Sequence, residues 1–128
     1  MAINLSNANK EEGIWVEYDE DVSFKIRHLS PKKTQDMRKG FLKRKTIGGM
    51  VHEEMTEKDQ KSFDNALFDY MIEDWKGIVL DENVPAECTK ENKIKLMNYS
   101  IDVSAFILEK ARKIYEQKAV SQEQEIKN

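Results

Sequence analysis

The sequence predicts an α+β fold in which an N-terminal antiparallel β-hairpin packs on a mainly α-helical domain of about four helices. Residues 14–29 contain two runs in which apolar and polar side chains alternate, a period typical of half-buried strands. From residue 30 onward, apolar residues recur at spacings of three and four, the period of an amphipathic helix. A chain of 128 residues is long enough for one domain with a single core, but short for two.

The predicted hairpin consists of the segments IWVEY and VSFKIRHL, joined by an acidic link. The apolar face of the two strands is formed by Ile14, Val16 and Tyr18 and by Val22, Phe24 and Ile26. A two-stranded hairpin is marginal in water, so we expect this face to rest on helices. Trp15 points to the opposite face. It is therefore either exposed for contact with another chain or covered by a neighbouring helix end.

Caps and apolar spacing predict the first two helices. Ser30, followed by a proline, is a favourable helix start, and we expect this helix to run to about Lys45, with Gly48–Gly49 ending the regular pattern. Thr56 is the predicted cap of the second helix, which reaches Trp75. Its apolar stripe consists of Phe63, Ala66, Leu67, Phe68, Tyr70, Met71 and Ile72. A stripe this broad predicts a helix contacted from two sides, at the centre of the core.

Two further helices follow a connector over residues 74–92, DWKGIVLDENVPAECTKEN. Thr89 is the predicted cap of a short helix, and Ser100 starts a last helix of about 18 residues. The apolar face of the last helix is predicted to contain Ile101, Ala105, Leu108, Ala111 and Tyr115, with Ile107 and Ile114 beside it. We expect residues 1–12 to be disordered, residues 13–118 to form a single domain, and residues 119–128 to be a flexible tail.

The composition argues against several classes of function. A net charge of −3 is too small to argue for nucleic acid or a membrane as a partner. The sequence has no run of about 18 apolar residues that could span a bilayer. One cysteine cannot form an internal disulfide, so we expect a protein of the reducing cytoplasm. The first residues lack the apolar segment of a secretory signal.

The reactive side chains form no recognisable catalytic or metal-binding set. His52-Glu53-Glu54 matches the start of the zinc-protease motif HExxH, but Thr56 occupies the position of the second histidine. Two histidines and one cysteine are too few for a usual structural zinc site. Cys88 has no histidine close in sequence and is expected to be a half-buried, inert thiol. We therefore expect no enzymatic activity, no metal and no cofactor.

Charge is concentrated in two neighbouring segments of opposite sign. Residues 31–45 carry seven basic residues and one acidic residue, and residues 53–74 carry eight acidic residues and two basic ones. Either the two segments attract each other within the fold, or the basic segment binds an acidic protein segment or a nucleic acid. The candidate partner-binding residues are Trp15, Lys32, Lys33, Arg38, Lys39, Lys43 and Arg44.

Three segments carry a resemblance to a known family. They are VSFKIRHLSPKKTQDMRK at residues 22–39, ALFDYMIEDWKGIVLDENVPAECTKENKIKLM at 66–97, and IDVSAFILEKARKI at 101–114. In this order they resemble small tail proteins of phages and prophages, of the tail assembly chaperone type. The structural signature within them is Trp75, Gly77, Pro85 and Thr89. Where the family pattern has a glycine after Asp81, this chain has Glu82-Asn83, and asparagine is able to adopt positive φ.

The resemblance implies a non-enzymatic binding role in phage tail assembly. Proteins of this type coat the long helical tape-measure protein until tail-tube subunits replace them. The implied main partner is therefore the tape-measure protein, and tail-tube subunits are an additional one. The implied location is the cytoplasm of a bacterial host cell. One alternative is a structural tail or head-completion subunit that stays in the particle. Another is a small nucleic-acid-binding regulator acting through residues 31–45. Self-association remains open.

Overall fold

The computed structural model describes residues 12–127, which fold into a three-stranded sheet, two small β-hairpins and four helices. The predicted α+β class is confirmed. The segment predicted to be disordered lies outside the described residues except for Glu12. In chain order the elements are β1 (Ile14–Glu17), β2 (Ser23–Ile26), α1 (Pro31–Lys39), β3 (Lys43–Ile47), β4 (Met50–Glu54), α2 (Glu57–Met71), β5 (Ile72–Lys76), β6 (Val79–Asp81), β7 (Val84–Pro85), α3 (Lys90–Tyr99) and α4 (Ile101–Lys127).

The predicted N-terminal hairpin is confirmed, and a third strand completes its sheet. β1 pairs with β2, and β2 pairs with β5, both antiparallel, so that Phe24 lies opposite Trp75. Asp19 stabilises the hairpin turn, because its carboxylate accepts hydrogen bonds of 2.9 Å from the backbone N–H groups two and three residues later. One face of this sheet rests on the helices, and Phe24 and Ile26 are fully buried there.

The sequence predicts that the second helix reaches Trp75, and this prediction is wrong. α2 ends at Met71, and β5 begins at the next residue. The backbone changes direction because β2 offers an edge to pair with, and the N–H of Arg27 donates to the Met71 carbonyl at 2.7 Å. Ile72 and Trp75 then bury their side chains from a strand. Tertiary pairing therefore overrides an apolar spacing that continues past the end of the helix.

The prediction that the first helix runs to about Lys45 is also wrong, because α1 ends at Lys39. Its start is as predicted, since the Ser30 hydroxyl accepts a hydrogen bond from the Lys33 N–H at 3.0 Å. The residues that follow form β3, which pairs with β4 across the turn Gly48–Gly49. Both glycines have positive φ, 58° and 80°, as a type I′ hairpin turn requires. The two glycines therefore close a β-hairpin.

The predicted caps at Thr56 and Thr89 are confirmed. The Thr56 hydroxyl accepts a hydrogen bond from the Asp59 N–H at 3.1 Å, and the Asp59 carboxylate accepts one from the Thr56 N–H at 3.4 Å, which forms a capping box. These contacts hold the pKa of the Asp59 carboxyl below its usual value. The largest effect comes from the Thr56 side chain, and smaller ones come from the Thr56 backbone N–H and from the charge of Lys43. The Thr89 hydroxyl accepts from the Asn92 N–H at 3.2 Å.

The last helix is longer than predicted, and its predicted face is confirmed in part, because Ala111 is buried together with Ile107 and Ile114 beside it. α4 has 27 residues, and its buried side chains are Val103, Ile107, Ala111 and Ile114. Ile101, on the predicted face, is 84% exposed. The face is fixed by docking to the segment that follows β2, where the N–H of Leu29 donates to the Ala111 carbonyl at 3.1 Å. The flexibility of residues 119–128 stays a prediction, although the backbone of residues 119–127 is helical.

One core joins the covered face of the sheet to the helices. Its buried side chains are Phe24, Ile26, Leu29, Phe63, Leu67, Met71, Ile72, Trp75, Ala86, Met97, Val103, Ile107, Ala111 and Ile114. α2 packs against α1, α3 and α4, which confirms its predicted place at the centre. None of the described helices combines the length and the apolar character that crossing a membrane requires.

Candidate interaction surface

The outer face of the three-stranded sheet, turned away from the core, carries Trp15. Its ring is 40% exposed, and the Lys76 ammonium lies 4.3 Å from the ring centroid, a cation–π contact. The sequence left open whether this ring is exposed or lies over a helix end. The structure places it on the sheet with a lysine of β5 as its neighbour, and part of the indole faces solvent.

A chain of charged contacts runs from this face towards α1. Lys25 lies opposite Trp15 in the strand register, and its ammonium is 2.9 Å from a carboxylate oxygen of Glu73. The Arg27 guanidinium is 3.3 Å from the other oxygen of the same carboxylate. Arg27 also donates to the Tyr70 backbone carbonyl at 2.9 Å. Two cations therefore share one half-buried carboxylate at the junction of the sheet with α2.

The Tyr70 ring connects these charges to α1. The Arg27 guanidinium lies 5.7 Å from the ring centroid, and the Lys33 ammonium lies 4.7 Å from it. Lys33 is half-buried as a result. We name this area the Trp15–α1 surface; it consists of Trp15, Lys25, Arg27, Tyr70, Glu73, Lys76 and the basic residues Lys32, Lys33, Arg38 and Lys39 of α1.

Hydrogen bonding keeps the central ion pair of this surface charged. The bond from Lys25 holds the pKa of the Glu73 carboxyl below its usual value, and the charges of Lys25 and Arg27 add to the effect. The same bond raises the pKa of the Lys25 ammonium. A charged partner favours the charged form of each group. At neutral pH, the centre of the surface therefore has two cations and one anion.

The structure divides the predicted basic residues between two elements. Lys32, Arg38 and Lys39 are exposed on α1, where their ammonium and guanidinium groups are open to a partner. Lys43 and Arg44 were assigned to the same helix by the sequence, and that assignment is wrong because both lie on β3. The basic helix is therefore shorter than predicted, and it presents fewer positive charges.

On β3 the basic residues face acidic residues of β4 and α2. The Lys43 ammonium lies 3.5 Å from the Asp59 carboxylate, and Nε of Arg44 lies 3.7 Å from the Glu53 carboxylate. The predicted attraction between the basic and acidic segments is thus found within the fold. These pairs reduce the positive charge that residues 31–45 offer to the phosphates of a nucleic acid.

The connector over residues 74–92 forms structural contacts. The indole N–H of buried Trp75 donates to the Ala86 carbonyl at 2.8 Å, which ties β5 to the residue after β7. Gly77 has a φ of 86°, and a Cβ at this position would collide with the backbone carbonyl oxygen of Asp21. The first half of the predicted signature therefore fixes the connector against the sheet and the hairpin turn.

The second half of the signature forms a small hairpin and a helix cap. Pro85 lies in β7, opposite Val79 of β6. Among the described residues, positive φ occurs only at glycines, so Asn83 does not replace the missing glycine by adopting such a conformation. Thr89 caps α3 as predicted. Cys88 is half-buried, and burial raises the pKa of its thiol, which disfavours the reactive thiolate.

Sequence reasoning missed several residues of this region. Lys25 and Arg27 alternate with buried Phe24 and Ile26, and this alternation places them on the outer face, but neither was among the predicted partner-binding residues. Glu73 could not be found, because β5 was assigned to a helix. Among the described side chains, which end at residue 118, no three of histidine, cysteine, aspartate or glutamate come together as metal ligands would.

Comparison with known proteins identifies a family. No curated protein and no solved structure matches the chain. The family described as YdaY prophage protein matches residues 17–128. This range covers most of the chain and every residue of the Trp15–α1 surface except Trp15 itself. The chain belongs to the YdaY prophage protein family.

Proposed function

We propose that this prophage protein is a non-enzymatic tail assembly chaperone, which binds the tape-measure protein, and further tail-tube subunits, in the bacterial cytoplasm. The likeness of residues 22–39, 66–97 and 101–114 to tail assembly chaperones supports the proposal, as does membership of a prophage family. The structural observation that carries it is the Trp15–α1 surface, in which a partly exposed aromatic ring is joined to a basic helix.

The chemistry of this surface suits a temporary complex with a long helical partner. Tryptophan supplies a large apolar contact area, and it is enriched among the residues that dominate binding energy. The exposed Lys32, Arg38 and Lys39 of α1 attract acidic segments and raise the association rate. One aromatic anchor surrounded by hydrated charges gives a contact that a competing subunit is able to displace.

The lack of enzymatic activity is part of the proposal. The connector over residues 74–92 contains the single cysteine of the chain, and its Trp75 and Gly77 are engaged in packing and backbone contacts. Cys88 would need a low thiol pKa to act as a nucleophile, whereas burial raises that pKa. A binding role uses the exposed residues of this chain better than a catalytic one.

Co-expression with the tape-measure protein encoded near this gene tests the proposal. We expect the soluble fraction of the tape-measure protein to rise and the two proteins to co-purify. Trp15→Ala should reduce the recovered complex. Tyr99→Ala is the matched control, because this aromatic side chain is 89% exposed and lies at the end of α3. If the tape-measure protein gains no solubility and does not co-purify, the proposal is wrong.

Two alternative functions are distinguished by further measurements. A structural tail or head-completion subunit would remain in purified particles, where mass spectrometry would detect it, whereas a chaperone would be absent from them. A nucleic-acid-binding regulator that acts through residues 31–45 would cause a gel shift at low salt, where electrostatic binding is strongest. We expect no such shift, because Lys43 and Arg44 are paired within the fold.

A further inference from the structure

The hairpin of β3 and β4, which we name the β3–β4 arm (residues 43–54), is exposed along its whole length. Every residue of both strands is exposed. Three apolar side chains near the turn remain open to solvent, with exposures of 59% for Ile47, 67% for Met50 and 65% for Val51. A two-stranded hairpin is marginal in water unless it packs against something. The arm thus has an apolar end with no cover from the described part of its own chain.

The base of the arm is attached to the domain at both of its strands. Before β3, the Phe41 ring contacts the Phe63 ring edge to face, with 5.9 Å between centroids. After β4, Met55 packs against the core, and Thr56 caps α2. The domain therefore holds the arm at a defined position and presents its far end outward.

Charge is distributed unevenly along the arm. Near the base, the Arg44–Glu53 and Lys45–Glu54 pairs bring opposite charges within 3.7 Å and 3.1 Å of each other. The far end, residues 46–51 with the sequence TIGGMV, carries no charge. Like-charge repulsion therefore does not oppose the approach of a second copy to this end of the arm.

The strand register shows which backbone groups are free. In a hairpin closed by two residues, the pair next to the turn, here Ile47 and Met50, is hydrogen-bonded, and the pairs then alternate. The next pair, Thr46 and Val51, is therefore not hydrogen-bonded. Its N–H and C=O groups point outward, from the β3 edge at Thr46 and from the β4 edge at Val51.

The edges of this protein are not equally protected against pairing. Natural edge strands are blocked by lysine, by proline or by other charges. β7 contains Pro85, and β3 contains Lys43, Arg44 and Lys45. β4 contains neither lysine nor proline, and its two glutamates lie at the end nearest the domain. The β4 edge around Val51 is therefore the part of the arm best suited to accept another strand.

We propose that β4 pairs antiparallel with β4 of a second copy of this chain, so that the two arms form a four-stranded sheet with Val51 on the two-fold axis. A symmetric pair uses the same edge on both copies. Each Val51 exchanges two backbone hydrogen bonds with Val51 of the second copy. One row of β-branched side chains then crosses the four strands, in the order Thr46, Val51, Val51 and Thr46. Such neighbours are a favourable cross-strand arrangement.

The same register is compatible with the charges. Counting outward from Val51, Met50 lies opposite His52 of the second copy, and Glu53 and Glu54 lie opposite Gly49 and Gly48. Acidic side chains are therefore never opposed, and each lies beside the uncharged turn of the other arm. This interaction uses a different part of the molecule from the Trp15–α1 surface, so it goes beyond the proposed chaperone function and does not depend on it.

Sedimentation velocity of the purified chain tests the proposal. From about 1 to about 200 µM, we expect the weight-average mass to rise towards twice that of the single chain. Val51→Pro removes the outward N–H at the axis without removing a bond within the arm, and it should leave the chain monomeric. Thr46→Pro makes the same change on the β3 edge and should leave dimerisation intact. At about 1 µM, where the wild type is itself monomeric, circular dichroism and the melting temperature of both variants should match those of the wild type.

A cross-linking measurement checks the register. In a Cys88→Ser background, which lacks the natural thiol, Val51→Cys should give a disulfide-linked dimer under mild oxidation, while Thr46→Cys should give little. A wild type that stays monomeric over the whole concentration range would overturn the proposal. The arm would then be a contact site for a different protein. Loss of the dimer in Thr46→Pro but not in Val51→Pro would also overturn it, by assigning the contact to β3.

Discussion

At the scale of single residues, position 77 requires glycine, because its backbone lies close to the first hairpin turn. Its φ of 86° is unfavourable for a residue with a side chain, and a Cβ at this position would collide with the Asp21 carbonyl. We expect Gly77→Ala to lower the free energy of unfolding by about 2–5 kcal/mol, since it combines backbone strain with overpacking.

Gly49→Ala is the matched control for this prediction. Gly49 has a similar φ of 80°, but a Cβ there would meet nothing within 4 Å. Only the backbone strain remains, so the loss should be about 1–2 kcal/mol. Urea unfolding of both variants measures the two losses. An equal loss in both would show that the close approach to Asp21 contributes nothing.

The ionisation of Glu73 predicts how stability depends on pH. Because the fold holds this carboxyl's pKa below its value in the unfolded chain, the ion pair stabilises the fold above that unfolded value. The contribution is lost as the pH falls through the folded pKa. Glu73→Gln should therefore have a lower urea midpoint than the wild type at pH 7. The difference should shrink below about pH 4. A difference that is the same at both pH values would contradict this account.

At the scale of elements, the sequence predicts what local chemistry determines. Ser30, Thr56 and Thr89 sit at helix starts and cap them through their own hydroxyls, so the starts could be placed. The β3–β4 arm was also present in the sequence, because two adjacent glycines between alternating residues are a hairpin signal. The basic residues before them suggested a helix instead.

β5 could not be predicted from its own residues. Its apolar residues, Ile72 and Trp75, continue the spacing of α2, and it becomes a strand only by pairing with β2 far away in sequence. For the same reason, the part of the candidate surface that lies on β5 could not be predicted. Trp15 was recognisable from the alternation in β1, whereas Lys76 and Glu73 depend on a strand that distant pairing creates. The buried side of α4 was predicted only in part for the same reason, since its packing against the rest of the fold buries Val103 and leaves Ile101 exposed.

Lys93 provides a test of how α3 is attached to α2. It is buried, and its ammonium lies 3.1 Å from both the carboxylate and the backbone carbonyl of Asp69. Lys93→Ala should cost about 1–3 kcal/mol, because it removes the hydrogen bond to the part-buried Asp69 carbonyl and the packing of a buried side chain. Lys95→Ala, on the same helix but exposed, should change stability by less than about 0.5 kcal/mol. Thermal unfolding that shows equal losses would contradict this role of Lys93.

At the scale of the whole molecule, the central position of α2 determines stability. Leu67 is buried in the core that α2 shares with α3 and α4. Leu67→Ala should lower the free energy of unfolding by roughly 2–5 kcal/mol, because it removes buried methyl groups and leaves a cavity. Leu80→Ala is the control, since this leucine is 61% exposed and should change stability by less than about 0.5 kcal/mol. Denaturant unfolding that ranks the two variants in the opposite order would refute the central position.

The α+β class was within reach of the sequence because the hairpin, the caps and the apolar stripe of α2 are each local signals. The proposed binding surface depends on how distant segments meet. The basic segment and the outer face of the sheet are connected through Arg27, Tyr70 and Lys33. No spacing of residues in the sequence predicts that contact. The sequence therefore indicated Trp15 and α1 as separate candidates, but not that they belong to one surface.

The emission of Trp15 tests the binding claim most directly. The chain has two tryptophans, and Trp75 is already buried, so a change on binding reports on Trp15, which is 40% exposed. We predict that titration with a tryptophan-free segment of the tape-measure protein shifts the emission to shorter wavelength and saturates. Trp15→Phe should abolish the shift. An emission maximum that does not move at any excess of the tape-measure segment would contradict the claim that this surface binds it.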